Sequence, residues 1–403
     1  MKKKISLLAL SSMLIAGTAF ASGFRIPEQS VDSTAKAGAN VASSTGAVTS
    51  YYNPANMSWT KDGYQFEADL TYINLPSVSY TDNRSSLMNG ESQSEQFLIP
   101  TFFLVSPDVS DFRFGLSFTA PYGLSKRWDQ PFQKSTAEEY SLQVLEMNPT
   151  VAYKINHMFA VAAGVRMIYS DAEVRSNAEA FGLSRKMEGD AYDWGYNLAI
   201  SHTPNDELNI SVTYRSNVDL GLEGDVTLGA GGFTQYTGGD VTIPAPAVLA
   251  ISVAYDFGPV TVDLTWDQTY WSEYESISFS YDSPALHPIF EQTIVKNWKD
   301  SNAYRIGVDY ELDQNITLMA GFAYDETPVP DDTIGFELPD SNAWLYSLGG
   351  KYKINEQMEI GMAYLYDYKE SRTVLNGSPT TGLNGEFTDS AAHLLTIGLS
   401  YDF

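Results

Sequence analysis

The sequence predicts an all-β fold, a fourteen-stranded antiparallel β-barrel that crosses a membrane with strands. Three observations predict it: a short export leader, period-two alternation of apolar and polar residues, and connections that alternate between short and long.

The leader comes first. Lys2, Lys3 and Lys4 precede an apolar stretch over 5–16, and Ala19-Phe20-Ala21 supplies the small-x-small pattern of a signal-peptidase site. That stretch is shorter than the ~20 residues a spanning helix needs, so a cleaved signal peptide over 1–21 is expected, with Ser22 starting the mature chain. No later window offers ~18 consecutive apolar residues, which leaves strands as the means of crossing a membrane.

Composition narrows the class. Cysteine is absent, so neither disulfides nor a thiol nucleophile is available, and stability must come from a large cooperative structure. The net charge of −26 falls to −29 once the three leader lysines are removed, and such a surface repels nucleic acid. The 26 Tyr, 20 Phe and 7 Trp suit a barrel with aromatic girdles around a polar lumen better than an acidic soluble domain.

Alternation is cleanest over 208–215, 260–267, 304–312, 358–367 and 395–403. In the second of these, Val260, Val262, Leu264 and Trp266 face one way, and Thr261, Asp263, Thr265 and Asp267 the other. Weaker segments complete fourteen strands, at 64–73, 96–105, 112–120, 144–153, 158–171, 191–201, 208–217, 246–255, 259–268, 302–312, 315–324, 343–353, 356–367 and 392–403. Short connections at 106–111, 154–157, 202–207, 256–258, 313–314 and 354–355 alternate with seven long loops, as outer-membrane barrels require of their two ends. Residues 22–62 do not alternate and are rich in Ala, Ser, Gly and Thr. They form either a disordered periplasmic tail or a plug inside the lumen; the width of a fourteen-strand bore favours the plug.

Rival classes leave weaker traces. A hydrolase needs a His beside a nucleophile or activating carboxylate, yet neither a Gly-x-Ser-x-Gly elbow nor a His-Glu-x-x-His segment is present, so no enzyme is expected, and no cofactor or metal. A general porin would begin directly in its first strand, which the forty-residue leader argues against. A receptor or adhesin role for the long loops is untouched by any residue pattern.

Several ordered motifs resemble one family. They are Ser22-Gly23-Phe24, Asn53-Pro54-Ala55, Tyr122-Gly123-Leu124, Thr213-Tyr214-Arg215-Ser216, and Lys299-Asp300 leading into Ala303-Tyr304-Arg305-Ile306-Gly307. Gly321-Phe322-Ala323-Tyr324-Asp325-Glu326-Thr327-Pro328-Val329-Pro330 and Leu338-Pro339-Asp340 follow. Together they resemble the FadL/TodX outer-membrane transporters of long-chain fatty acids and aromatic hydrocarbons, across essentially the whole mature chain. The resemblance implies a hatch over 22–62 inside a barrel over 63–403, working as a monomer among outer-membrane lipid and lipopolysaccharide. It also implies staged diffusion of a hydrophobic substrate: from a groove among the extracellular loops to a deeper pocket, then sideways through a gap made by a kink in the third strand. A sideways exit spares each methylene roughly 0.8 kcal/mol of exposure to water.

Site residues follow from the same likeness. Phe24 matches a phenylalanine beside the deep pocket, and Lys299 a lysine associated with the substrate carboxylate. Arg175 stands one position before the family's arginine, which falls at Ser176, and a slip of one residue turns a side chain to the other face. Gly123 matches the glycine of the strand-three kink, and Asn53, Pro54 and Ala55 are expected to hold the hatch near it. Leu124, Trp128 and Phe132 after strand three, with Leu220, Leu222 and Phe233 after strand seven, are candidates for the entry groove.

Overall fold

The computed structural model describes residues 23–375 and 382–403; the expected signal peptide over 1–21 lies outside them. The wall strands are β1 Gln65–Leu75, β2 Glu95–Val105, β3 Phe112–Arg127, β4 Glu139–Lys154, β5 Phe159–Ala178, β6 Leu183–His202 and β7 Leu208–Arg215. They continue as β8 Val248–Asp256, β9 Val260–Thr269, β10 Ser301–Glu311, β11 Ile316–Asp325, β12 Ala343–Lys353, β13 Met358–Lys369 and β14 Ala391–Asp402. Each pairs antiparallel with its neighbours, and β1 pairs with β14 from Gln65↔Asp402 to Asn74↔His393, so the sheet closes on itself. The ring therefore has no free edge strand, although the ladder between β2 and β3 is incomplete.

Burial follows the alternation. In β2 every second residue from Glu95 to Val105 is buried, while Leu98, Phe102 and Leu104 face outwards. Tyr153, Tyr255, Tyr310 and Tyr352 ring the short-turn end of the outer wall, and Tyr192, Trp194, Tyr304 and Tyr346 the long-loop end. Amphipathic rings at these two levels mark the two interfaces of a membrane.

Two features exceed what the pattern predicts. β5 and β6 run for 20 residues each, about twice the span a membrane needs, so their upper halves stand clear of it. There β6 pairs with a hairpin, Val218–Ala230 and Phe233–Ala245, inserted between β7 and β8, through Glu223↔Asp190 to Ala230↔Leu183.

The N-terminal segment lies within the ring. Its residues bond to strands on every side: Val31 to Asp69 of β1, Gln29 to Thr101 of β2 and Ala120 of β3, Asn53 to Ser201 of β6 and Ser211 of β7, and Lys36 to Asp309 of β10. A short helix, α1 Val31–Ala35, is capped by Ser30 and buried on all its residues. It rests on a belt of glycines, one from each of five consecutive strands: Gly307, Gly321, Gly349, Gly361 and Gly398. A Cβ on Gly321 would sit 2.2 Å from the carbonyl carbon of Lys36, so only glycine admits the helix end there. At the closing seam Thr396 Oγ1 lies 2.8 Å from Thr34 Oγ1 of α1 and 2.9 Å from Thr71 Oγ1 of β1.

Candidate functional site

β3 leaves the wall partway up. It pairs with β2 only from Gly115↔Val105 to Phe118↔Phe102, and its register against β4 slips between Thr119 and Tyr122. Residues 119–123 are all buried, so alternation stops where the strand bends inwards. Pro121 has no N–H to give a ladder, which suits the bend. Above Phe102, β2 has no ladder partner on this side until Arg127 of β3 reaches back to Glu95 at 2.9 Å and accepts from the Gln93 N–H at 2.9 Å. The result is a gap in the ladder between β2 and β3, bounded above and below and about six residues, or ~20 Å, long.

The N-terminal segment fills the place the missing ladder leaves. Thr101 of β2 donates to the Gln29 carbonyl at 2.7 Å, and the Gln29 side chain bonds to the Ala120 backbone. The Ile26 N–H donates to Pro121 O at 2.8 Å and the Gly123 N–H to Phe24 O at 2.9 Å. An ion-pair chain ties the same segment to the opposite wall, from Arg25 to Asp267 at 2.6 Å, then Arg305 at 2.8 Å and Asp325 at 3.0 Å. Glu28 lies 4.0 Å from Arg305; burial pushes its carboxyl up to about 7, against the pull of that guanidinium.

Above the segment lies an apolar cavity of about 350 Å³. Its floor is Phe24, whose ring meets Trp271 edge-on at 4.7 Å; Trp298 stands 4.9 Å from Trp271 and 4.8 Å from Tyr274. Gly23 makes this packing fit: its φ is +72°, and a Cβ there would lie 2.6 Å from Trp271.

Two buried cations line the cavity, and they differ. Lys296 is ion-paired with Glu337. Burial lowers the proton affinity of its ammonium, but the neighbouring Glu337 more than offsets this, and the group stays protonated well above its ordinary range. Arg185 lies over the Phe279 ring at 4.2 Å and donates to Tyr140 Oη at 3.3 Å, while its Nε has no partner among the described residues. No carboxylate is ion-paired with Arg185 among them. A desolvated guanidinium of this kind is an acceptor site for an anion.

Several sequence expectations meet their places here, and several need correction. Phe24 and Leu124 line the cavity. Lys299 does not: its side chain is exposed, because its strand-like stretch turns Lys296 and Trp298 inwards and Lys299 away. Arg175 points away too, paired with Glu139 and Glu173, whereas Ser176 lines the cavity and stands opposite Arg185 on β6. Gly123 borders the kink but is back in register with Gln143; the irregularity is Ala120-Pro121. Asn53, Pro54 and Ala55 are buried against β6 and β7, with Asn53 Nδ2 bonded to Ser211 Oγ at 2.8 Å, so the kink is held by residues 24–29 instead. Trp128 and Phe132 pack on Phe336 at 5.2 and 5.6 Å, and with Leu220 and Leu222 they form the apolar core of the loops rather than the cavity wall. Phe233 sits at the hairpin tip, 56% exposed, and does not line the cavity. Sequence reading missed Arg185, Lys296 and Gln29. The first sits in a stretch read as loop, though Arg185 and Met187 alternate there with Lys186 and Glu188.

A closed fourteen-stranded wall with two aromatic girdles and a filled interior defines a multi-pass β-barrel of the bacterial outer membrane. The chain belongs to the outer membrane protein transport protein family (OMPP1/FadL/TodX), whose model matches residues 12–403. It is 26% identical to a long-chain fatty acid transport protein of Escherichia coli O6:H1, over 94% of this chain and 95% of that one. It is 22% identical to outer membrane protein P1 of Haemophilus influenzae, over 99% of both. Among solved structures it is similar to a FadL homologue of Pseudomonas aeruginosa, with a TM-score of 0.83 and 19% identity, covering 95% of this chain and 100% of that one. The Pseudomonas putida toluene transporter TodX follows the same fold at a TM-score of 0.72 and 18% identity, covering 93% and 98%.

Proposed function

We propose that this barrel carries long-chain fatty acids from the outside medium into the outer membrane. The acyl tail enters the apolar cavity between the loops and Phe24, its carboxylate rests on Arg185, and the molecule leaves through the window between β2 and β3 once the N-terminal segment loosens. The observation that carries this reading is the pairing of an apolar cavity with a buried guanidinium that, among the described residues, is ion-paired with no carboxylate. The fatty acid transport protein of Escherichia coli, similar over nearly its whole length, supports the same substrate class.

A second reading, uptake of neutral aromatic hydrocarbons, is favoured by the rings of Phe24, Tyr274 and Trp298 in the cavity lining, which offer edges and faces to a flat ligand. It leaves Arg185 without a task. An open porin has little support, since the segment over 23–59 occupies the bore. Closure of the wall within a single chain supports a monomer, bathed by lipid and lipopolysaccharide.

Titration of the purified barrel with hexadecanoate and with toluene separates the readings. Tighter binding of the acid by tenfold or more supports the first; equal or weaker binding of the acid overturns it.

A further inference from the structure

The Thr213-Tyr214-Arg215-Ser216 motif takes no part in the cavity, yet the structure gives it a definite place lower in the lumen. Arg215 is bonded to Glu146 of β4, and so is Arg166 of β5, whose Nε donates to Glu146 Oε2 at 2.8 Å. Arg166 and Glu146 have no exposed side-chain surface. The motif also fixes Arg166 from below, for Ser216 O accepts from Arg166 Nη1 at 2.6 Å. Arg215 lies over the Tyr51 ring of the N-terminal segment at 4.4 Å, beneath the bend of β3.

The charges do not balance. Two guanidiniums share one carboxylate, and among the described residues no other carboxylate is ion-paired with either. Arg166 Nη2 and Arg215 Nη1 have no hydrogen-bond partner among the described residues. Thr119 Oγ1, on the residue opposite Glu146, and Ser170 Oγ on β5 are also buried without a hydrogen-bond partner among the described residues. Buried donors are nearly always satisfied, and an uncompensated buried charge is expensive, so such a set is built to receive an acceptor that carries negative charge.

We propose that Arg166 and Arg215 form a second anion station, which holds the carboxylate of an amphiphile that has moved down from Arg185 towards the window. This rests on the reading of the lumen as a path for fatty acids. The geometry suits a hand-over. On β4 the inward positions run from Leu142, in the cavity wall, through Val144 to Glu146, a drop of four residues or about 13 Å. Val144, Ile168 and Val218 belong to the same apolar cluster as the cavity lining, so a tail stays in hydrocarbon while its head descends from one guanidinium to the next. Glu146 then has two tasks: it orients both arginines, and by neutralising one charge it keeps the station weak enough to release what it holds.

The test uses the full chain in detergent with 2-bromohexadecanoate, whose bromine marks the carboxylate end. Anomalous scattering from crystals soaked with it is expected to show bromine at two places, beside Arg185 and between Arg166 and Arg215. Bromine beside Arg185 alone overturns the second station and leaves the transport reading standing; bromine at neither overturns both. In solution, Arg215→Met preserves the neutral Glu146–Arg166 pair and therefore the fold. In an Arg185→Met background it is expected to remove the remaining preference for hexadecanoate over hexadecanol, about tenfold in affinity. If Arg185→Met alone already abolishes that preference, the arginine pair is a structural pillar and the proposal fails.

Discussion

The side chain of Gln29 satisfies both backbone groups of Ala120. Its amide oxygen accepts from the Ala120 N–H at 2.8 Å, and its amide nitrogen donates to the Ala120 carbonyl at 3.0 Å. One residue of the N-terminal segment thus does for the bent strand what β2 does for a straight one. Gln29→Ala leaves both groups buried and unpaired, at a local cost of about 1–3 kcal/mol. Amide exchange over 119–123 should then accelerate roughly tenfold or more, with the ladders of β8 to β13 unchanged. Unaltered exchange at Ala120 would remove Gln29 from the gate.

Charge in the cavity is the second test. Arg185→Met is expected to weaken hexadecanoate binding by about tenfold or more while leaving a neutral chain of equal length unaffected, since charge-assisted hydrogen bonds are worth roughly 1.5–3 kcal/mol. Lys299→Ala, on an exposed side chain, should change neither ligand. Calorimetry on the two variants decides between them, and a loss confined to Lys299→Ala would reverse the assignment.

The glycine belt gives the third. Gly321→Val puts a branched side chain where 2.2 Å separates the first added carbon from Lys36. The wall can keep its ladders, because β11 pairs through backbone; the N-terminal segment cannot keep its seat. Purified Gly321→Val should therefore migrate as a folded barrel in unheated gels and yet conduct ions in planar bilayers where the parent protein stays closed. A closed variant would show that the belt is not what seats the segment.

Acidity supplies the fourth. Burial raises the Glu28 carboxyl from its ordinary 4.5 to about 7, so the seated segment binds a proton that a released one surrenders. This contribution to seating is complete below about 4.5 and disappears as the pH climbs through 7. Corrected for intrinsic rates, hydrogen exchange across 24–40 should be slower at about pH 5.5 than at about pH 8. Glu28→Gln should flatten that difference, and a persistent difference in the variant assigns it to another group.

The wall was legible in the sequence because lipid on one side and a polar lumen on the other write an alternation into every strand. All fourteen strands, the six short turns and the side on which they lie follow from it. The same signal fades where its cause does: above the membrane β5 and β6 face water on their outer side, so Asp171, Glu173 and Glu188 replace apolar residues and the extension reads as loop. The cavity was half legible. Phe24 came through a motif, but Arg185 stands across a strand pair from Ser176, where the resemblance expects an arginine, and no single-strand pattern reports a partner on the neighbouring strand. Lys299 faces away for a related reason: it lies three positions after Lys296, and in an extended stretch an odd step turns a side chain to the other side.

The threonine trio at the seam bears on how the molecule is put together. Thr34 belongs to the early part of the folded chain and Thr396 to the late part, and the Thr396 hydroxyl bonds both to Thr34 and to Thr71 across the seam of the wall. A cylinder completed around nothing would bury Thr396 with one partner fewer and would then bar a folded insert from entering. Assembly is therefore expected to run in the other order, with the early segment already lodged in the half-built trough and the final strand drawn down over it, so that cargo path and container take shape in a single event.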